Sequence, residues 1–256
     1  MLKILGRPTS ANVQKVVWLC NEIDLAYERE DIGGPFGGND TQEYLTLNPN
    51  GRVPTVIDDD FVIWESNACV QYLASLHSVG TWYPTDLQVR GRAIQWMDWT
   101  LGTLAPVHVG VFAGLIRTPA EQRDLDAISK ARDNWSNIMA MLDNHLADNT
   151  YIAGDAITMG DLGTAIFSFR WFNLDIERED YPNLKRWYDT IAARPPFIKH
   201  VIDIGLVVAI AILIGVFLSD QSSAPTLTDR PQGEPDAAFG DTVVADPAIV
   251  DVPQDQ

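Results

Sequence analysis

The chain has 256 residues, 18 of them basic and 35 acidic, which gives a formal net charge of −17 at pH 7. So acidic a protein repels phosphate backbones, which argues against nucleic acid as a partner. Two cysteines, Cys20 and Cys69, are too few for a disulfide scaffold or a cysteine-rich zinc module, and they suit a reducing compartment. The first residues lack the apolar run of a signal peptide, so we expect the body of the protein in the cytoplasm.

Residues 1–80 alternate the patterns of strands and helices, which predicts an α+β domain. Short segments at 2–5, 27–31, 54–57 and 61–64 indicate strands, the last two forming a hairpin around three consecutive aspartates. Helices are predicted at 12–23 and 65–77, where apolar residues recur on one face. The order is a βαβ unit, a ββ hairpin and a closing helix.

The pattern becomes wholly helical over residues 87–200, which predicts a second, all-α domain. Candidate helices cover 87–116, 119–146, 158–171 and 181–193. The third opens on Thr158-Met159-Gly160-Asp161, a capping-box pattern in which Thr158 and Asp161 satisfy each other's backbone donors. The scattered histidines have no metal-ligand spacing, so no metal site is predicted.

Two further segments follow the helical region. Fifteen of the 18 residues in 201–218 are apolar. A spanning helix needs about 20 residues, with a range of roughly 17–25, so we predict a transmembrane helix at the short end of this range. Basic residues upstream would keep residues 1–200 in the cytoplasm. The alternatives are a buried C-terminal helix of a soluble domain and a segment joined to the chain by a gene-model error. Residues 219–256 carry eight acidic residues, one basic residue and five prolines, which predicts a disordered acidic tail.

Three turns carry the chemistry. In Asn48–Thr55 (NPNGRVPT) the pair Val53-Pro54 opens a strand, and a cis bond there would turn backbone groups outward to pair with a peptide ligand. Glu65-Ser66 lies between a strand and a helix, where free N–H groups suit a ligand carboxylate and Glu65 suits an ammonium. Taken singly, each also fits an ordinary turn or helix cap.

The third turn, Thr9-Ser10-Ala11-Asn12, joins the first predicted strand to the first helix. A hydroxyl or amide at this position can stabilise a thiolate, helped by the helix dipole. The simpler interpretation is that Ser10 caps the helix. No cysteine occupies the turn and the chain has no Cys-x-x-Cys motif, which disfavours chemistry on a protein thiol.

Together these stretches resemble the glutathione transferase family over about residues 1–200, most specifically in NPNGRVPTVIDDDFVIWESNACVQYL and GRPTSANVQKVVWL. The resemblance is greatest to bacterial cytosolic members with a serine or asparagine in the active site. It implies a thioredoxin-like, glutathione-binding domain at 1–80 and a helical-bundle domain at 87–200. It makes Thr158 and Asp161 a buried folding element of the helical domain.

The resemblance also assigns the site residues. Val53, before a cis Pro54 and after Arg52, would pair with the cysteinyl backbone of glutathione. Glu65 and Ser66 would hold its γ-glutamyl end. Either Ser10 or Asn12 would stabilise the thiolate.

The implied activity is conjugation of glutathione, the co-substrate, to small electrophiles, with halogenated compounds as one candidate class and no metal required. A homodimer is also implied. The predicted membrane helix would anchor the cytoplasmic catalytic domain; without it the protein would be soluble and cytoplasmic. The alternatives are a glutathione-dependent disulfide reductase or peroxidase, and a non-catalytic, membrane-tethered scaffold of the same fold.

Arg7, His108 and Arg117 are further candidates. The two residues on the predicted long helices could line the electrophile pocket, and Arg7 could add positive potential at the thiol turn. The alternative for Arg7 is an ordinary surface arginine.

Overall fold

The computed structural model describes residues 1–205. The predicted acidic tail lies outside the described residues, as does the predicted membrane helix after its first five residues.

The first domain is built on a four-stranded mixed sheet in the order β2-β1-β3-β4. β1 pairs in parallel with β2 and antiparallel with β3, and β3 pairs antiparallel with β4. Each strand differs from its predicted bounds by at most two residues at either end. The strands are β1 (Lys3–Leu5), β2 (Glu28–Glu30), β3 (Thr55–Asp58) and β4 (Phe61–Trp64).

Three helices complete this domain: α1 (Ala11–Glu22), α2 (Gln42–Leu47) and α3 (Ser66–His77). α1 and α3 pack against each other, and the middle of α1 is buried on every side. The six-residue helix α2 was not predicted, because so short a segment shows no helical periodicity. The mixed sheet and its helices make a thioredoxin-like domain.

The second domain is helical, as predicted. Its longest helical run, Leu87–Arg117, contains α4 (Leu87–Trp99) and α5 (Ala105–Phe112), joined and extended by π-helical turns. The remaining helices are α6 (Leu125–Ala147), α7 (Met159–Asn173) and α8 (Pro182–Ala192), followed by the short helical segments Pro195–Phe197 and Ile198–Ile202.

Helix α7 lies at the centre of the molecule and joins the two domains. Twelve of its 15 residues are buried, and it packs against α1, α4 and α8. A second link is the ion pair in which Arg194 Nε donates to Glu22 Oε1 over 2.7 Å. The thioredoxin-like and helical domains therefore share one continuous core.

Within residues 1–205, one helical run is long and apolar enough to cross a membrane by length and composition. It is Leu87–Arg117, with 31 residues, and its most apolar 18-residue window has a mean hydropathy of 1.5. Because α4 packs on α7 and α5 packs on α6, this run belongs to the helical domain. Only 22% of its most apolar window is buried inside the chain, so an apolar surface remains uncovered.

The start of the predicted membrane helix packs on the helical domain. Val201 is completely buried. A Cβ at Gly205 would stand 2.5 Å from Phe169 Cε1, which places this backbone directly against α7. These first residues therefore contact protein.

Candidate functional site

The strand register brings the three predicted ligand-binding turns to one edge of the sheet. Leu5 lies opposite Thr55, and Thr55 lies opposite Trp64. The chain therefore leaves β1, enters β3 and leaves β4 at the same edge. The predicted site residues at this edge are Ser10, Asn12, Arg52, Val53, Pro54, Glu65 and Ser66.

Contacts between the turns are direct. Ser66 Oγ donates a hydrogen bond to Asn12 Oδ1 over 3.2 Å, which joins the start of α3 to the start of α1. A Cβ at Gly6 would stand 3.1 Å from the Cβ of Val53, so the turn after β1 packs against the turn before β3. The three turns thus form one cleft wall.

Ser10 and Asn12 differ in what their side chains contact. Ser10 is the N-cap residue of α1, with an extended backbone, and its half-buried hydroxyl makes no hydrogen bond back to the helix. The Asn12 Oδ1 atom already accepts from Ser66. Ser10 therefore lies at the positive end of the α1 dipole with a hydroxyl that is not bonded to the helix, whereas Asn12 keeps its Nδ2 group as a donor.

The Val53-Pro54 turn is held from below by α2. The Val53–Pro54 peptide bond is cis. The carbonyl oxygen of Arg52 accepts two hydrogen bonds of 2.7 Å, one from the Tyr44 hydroxyl and one from Asn48 Nδ2. Both donors are buried, and they lie in or directly after the helix that was not predicted. They fix the position of the backbone that the sequence assigns to ligand pairing.

Glu65 and Ser66 occupy the N-terminus of α3 in two different environments. Glu65 is exposed and has a φ of 67°, a left-handed conformation that non-glycine residues rarely adopt. Such conformations are strained, and they cluster at ligand-binding sites. Ser66 is 3% exposed. The carboxylate of Glu65 therefore faces solvent, while Ser66 forms the floor of the cleft.

Lys15 lies under this floor, and its place there was not predicted from the sequence. Its side chain is 1% exposed, and Nζ donates to Ser66 Oγ over 3.2 Å and to Asn67 Oδ1 over 3.4 Å. Burial lowers the pKa of Lys15 to about 7, against an opposing effect of the Glu65 charge. Asn67 in turn donates to the carbonyl of Met97 over 2.8 Å, which ties the site to α4.

The capping box opens α7 at a distance from the cleft. Asp161 is fully buried and accepts from the backbone N–H of Thr158 over 2.9 Å. It also accepts from the backbone N–H of Ile152 over 3.0 Å and from Trp187 Nε1 over 2.9 Å. Burial raises the pKa of Asp161 to about 6. Its contacts are those of a structural residue.

Neither cysteine is placed for chemistry. Cys20 and Cys69 are both buried, and burial raises the pKa of each thiol to about 12. Across residues 1–205, no group of three or more histidine, cysteine, aspartate or glutamate side chains is arranged to hold a metal ion.

Family models match both domains. The model of the N-terminal domain of glutathione S-transferases matches residues 1–75, and that of the C-terminal domain matches residues 104–195. Glutathione S-transferase GstB of Escherichia coli K12 is 38% identical over 203 residues, which cover 78% of this chain and 98% of GstB. Dichloromethane dehalogenase of Methylorubrum extorquens is 26% identical over 207 residues, or 76% of this chain and 72% of that protein.

A solved structure is similarly close. The theta class glutathione S-transferase from Xanthomonas axonopodis pv. citri, with glutathione bound, shows a TM-score of 0.75 and 40% sequence identity. The match covers 78% of this chain and 96% of that one.

Proposed function

Because the chain belongs to the glutathione S-transferase family, we propose that this enzyme binds glutathione in the cleft formed by its three turns and conjugates it to small electrophiles. The observation that carries the proposal is the meeting of Ser10, Val53 and Glu65-Ser66 at one edge of the sheet. One turn is suited to the γ-glutamyl end of the tripeptide, one to its cysteinyl backbone and one to its sulfur.

The γ-glutamyl end of glutathione would bind at α3. The first N–H groups of a helix are unsatisfied and carry positive potential, which suits a carboxylate. The Ser66 hydroxyl would turn its hydrogen from Asn12 Oδ1 to the ligand carboxylate, and the exposed Glu65 carboxylate would pair with the γ-glutamyl ammonium. The Val53 backbone would pair with the cysteinyl unit as an added strand, beside the carbonyl of Arg52 that α2 holds in place.

The cysteinyl sulfur would then lie near Ser10. A free thiol has a pKa of about 8.5, and lowering it by roughly two units takes about 2.7 kcal/mol of preferential thiolate stabilisation. One hydrogen bond to a charged group contributes about 1.5–3 kcal/mol, and the helix dipole about 0.3–1 kcal/mol. A hydroxyl at the N-terminus of α1 therefore supplies an effect of the required size. Ser10 is favoured over Asn12 because it is the N-cap residue of α1 and its hydroxyl makes no hydrogen bond to the helix.

Halogenated compounds are the first electrophiles to try. The thiolate sulfur would form a bond to carbon while the carbon–halogen bond breaks and halide leaves with the electron pair. One relative carries the name dichloromethane dehalogenase, at 26% identity, which supports this choice. Redox chemistry on a protein thiol is not part of the proposal, because Cys20 and Cys69 are buried with raised pKa values.

A homodimer is also part of the proposal. The run Leu87–Arg117 contains an apolar window of which only 22% is buried within one chain. Val109, for example, is 49% exposed. A second copy packed on this run would remove apolar area from water, at roughly 25 cal/mol per Å².

Membrane attachment receives less support. Val201 and Gly205 contact the helical domain, which leaves 13 residues, 206–218, of which 12 are apolar, for a span. At about 1.5 Å per residue these reach about 20 Å, against a hydrocarbon core of about 30 Å. The anchor therefore stays a prediction and is not included in the proposed function.

The decisive experiment titrates bound glutathione. The ultraviolet absorbance of the thiolate is followed against pH for glutathione bound to the full-length protein, with free glutathione as the reference. We expect a bound-thiol pKa well below about 8.5. Binding with an unshifted pKa would remove the activating role, and no binding at all would favour the non-catalytic scaffold.

A further inference from the structure

Two arginines of the helical domain share one aromatic ring. The Arg170 guanidinium carbon lies 4.6 Å from the centroid of Phe112, and that of Arg117 lies 5.6 Å from the same centroid. Arg117 ends the run that contains α5, and Arg170 comes from α7. Two positively charged side chains from segments distant in sequence therefore contact the same aromatic ring.

The partner of Arg170 is a neutral histidine. Arg170 Nη1 lies 3.0 Å from His108 Nε2. His108 is 3% exposed, and burial together with the Arg170 charge lowers its pKa to about 2. The imidazole is therefore uncharged near neutral pH and accepts from the guanidinium. This hydrogen bond orients Arg170 without neutralising it.

A third arginine approaches from the thioredoxin-like domain. The backbone N–H of Ser10 donates to the carbonyl of Arg7 over 3.3 Å, so Arg7 belongs to the thiol turn. A Cβ at Gly33 would stand 3.2 Å from Arg7 Nη1 and 3.4 Å from Val53 Cγ1, so this guanidinium and the Val53 side chain flank the same glycine. Arg7 therefore reaches the wall of the glutathione cleft.

The three charges affect one another. Burial and the charge of Arg117 lower the pKa of Arg7. Burial and the charges of Arg117 and Arg7 lower the pKa of Arg170 to about 10. No carboxylate is among the causes of these two pKa shifts. The charges that lower the pKa values of Arg7 and Arg170 are those of other guanidiniums.

Acidic side chains are plentiful elsewhere in the chain, and other arginines form ion pairs with them. Arg29 pairs with Asp31, Arg132 with Asp133 and Arg194 with Glu22. Within the described part of the chain, however, Arg7, Arg117 and Arg170 have no carboxylate oxygen within 4 Å. Arg117 is exposed, whereas Arg7 and Arg170 are half-buried. Like charges repel each other, and the two half-buried guanidiniums also lose hydration. A bound anion would relieve both costs.

We propose that Arg7, Arg117 and Arg170 form an anion subsite beside the thiol turn, and that the enzyme prefers electrophiles carrying a carboxylate or sulfonate group. The inference rests on the proposed function and names the substrate class of that same site. A carboxylate could also come from the glycyl end of glutathione. The electrophile is the better match because Arg117 and Arg170 belong to the helical domain, whereas the proposed glutathione contacts all lie in the thioredoxin-like domain.

A matched pair of aryl chlorides tests the preference: 4-chloro-3-nitrobenzoate and its neutral amide, 4-chloro-3-nitrobenzamide. In both reactions sulfur bonds to the ring carbon, chloride leaves with the electron pair, and the thiol proton goes to solvent. The benzoate-to-benzamide ratio of kcat/KM is corrected for the uncatalysed rates and compared between the full-length protein and Arg117→Gln. We expect this ratio to fall about tenfold in the variant, and to fall with added salt in the parent protein.

Controls separate charge from structure. Arg117→Lys keeps the charge and should restore part of the ratio, whereas Arg132→Gln, at a half-buried arginine of α6 that pairs with Asp133, should leave it unchanged. An unchanged ratio in Arg117→Gln, or equal losses for both substrates, would overturn the subsite. A raised KM for glutathione with either electrophile would assign the arginines to glutathione itself and also overturn it.

A binding measurement keeps the proposal testable without turnover. Calorimetry with unreactive 3-nitrobenzoate and 3-nitrobenzamide compares the same two charges in the parent protein, Arg117→Gln and Arg170→Gln. Tighter binding of the benzoate, lost in the variants, supports the subsite even if conjugation fails. Equal binding of the two compounds contradicts the subsite whether or not the protein is an active transferase.

Discussion

The Nζ atom of Lys15 donates a hydrogen bond to the hydroxyl of Ser66 over 3.2 Å, although the Lys15 side chain is almost completely removed from solvent. Ser66 passes the interaction on by donating to Asn12. Among residues 1–205, no carboxylate oxygen lies within 4 Å of this ammonium. A buried cation therefore supports the floor of the proposed glutathione cleft through neutral groups, and burying it has a cost that depends on pH.

The stability of the protein should reflect this lysine. Its pKa is about 7 in the folded chain and about 10.4 when exposed in the unfolded chain. Between these values the unfolded state binds more protons, so the free energy of unfolding rises with pH, by at most about 1.4 kcal/mol per unit. Below pH 7 both states are protonated and the cost of burial is fully present.

Replacing Lys15 by methionine removes this contribution. We expect the stability difference between the parent protein and Lys15→Met to shift in favour of the parent as pH rises from 7 to 9. Denaturant unfolding at pH 7, 8 and 9 measures it, with Lys130→Met on the exposed face of α6 as the matched control. Parallel pH profiles for the parent and Lys15→Met would refute the assigned titration.

Glutathione affinity should depend on the charge of Glu65. Replacing Glu65 by glutamine keeps the size of the side chain but removes the negative charge proposed to meet the γ-glutamyl ammonium. The carboxylate is exposed, so we expect a loss of only about two- to tenfold in affinity. Calorimetry measures it, and Glu43→Gln on the exposed side of α2 serves as the control. An unchanged dissociation constant would remove Glu65 from the site.

The thiolate donor can be assigned by comparing two variants. Ser10→Ala should raise the pKa of the bound thiol and lower kcat by about tenfold to a hundredfold, the equivalent of a lost hydrogen bond to a charged group. The KM for glutathione should change much less, because Ser10 acts on the sulfur. Thr9→Ala, at an exposed neighbour, is the control. If Asn12→Ala raises the thiol pKa and Ser10→Ala does not, the assignment is reversed.

The sequence was enough to predict the candidate residues of the cleft, but not the buried side chains and helices that hold these residues in place. Ser10, Val53 and Glu65 could be placed together because each follows or precedes a strand in a recognisable βαβ and hairpin order. Lys15 could not, because its burial depends on α3 and α7 covering it; a Cβ at Gly163 in α7 would stand 3.2 Å from Lys15 Cε. Similarly, Arg7 and Arg170 come together only through the packing of the two domains, which local periodicity does not report.

Asp161 should prove essential to folding and not to chemistry. All four groups that contact its carboxylate, two backbone N–H groups, the Thr158 hydroxyl and Trp187 Nε1, are donors. Asp161→Asn would turn an amide NH2 toward at least one of them, so we expect a loss of about 2–4 kcal/mol in unfolding free energy. Denaturant unfolding tests this, with Asp155→Asn on the preceding exposed loop as the control. A normal stability with reduced kcat would instead indicate a catalytic role.

Membrane partition tests the last segment of the chain. Because Val201 is buried and Gly205 packs on Phe169, the 13 residues 206–218 are too few to cross a bilayer as a helix without thinning it. We therefore expect alkaline carbonate to release the full-length protein from a membrane fraction without detergent. A variant ending at residue 205 is the control and should fractionate in the same way. Retention of the full chain until detergent is added, with release of the shortened one, would establish the anchor, and the contacts of Val201 would then mark where the helix leaves the domain.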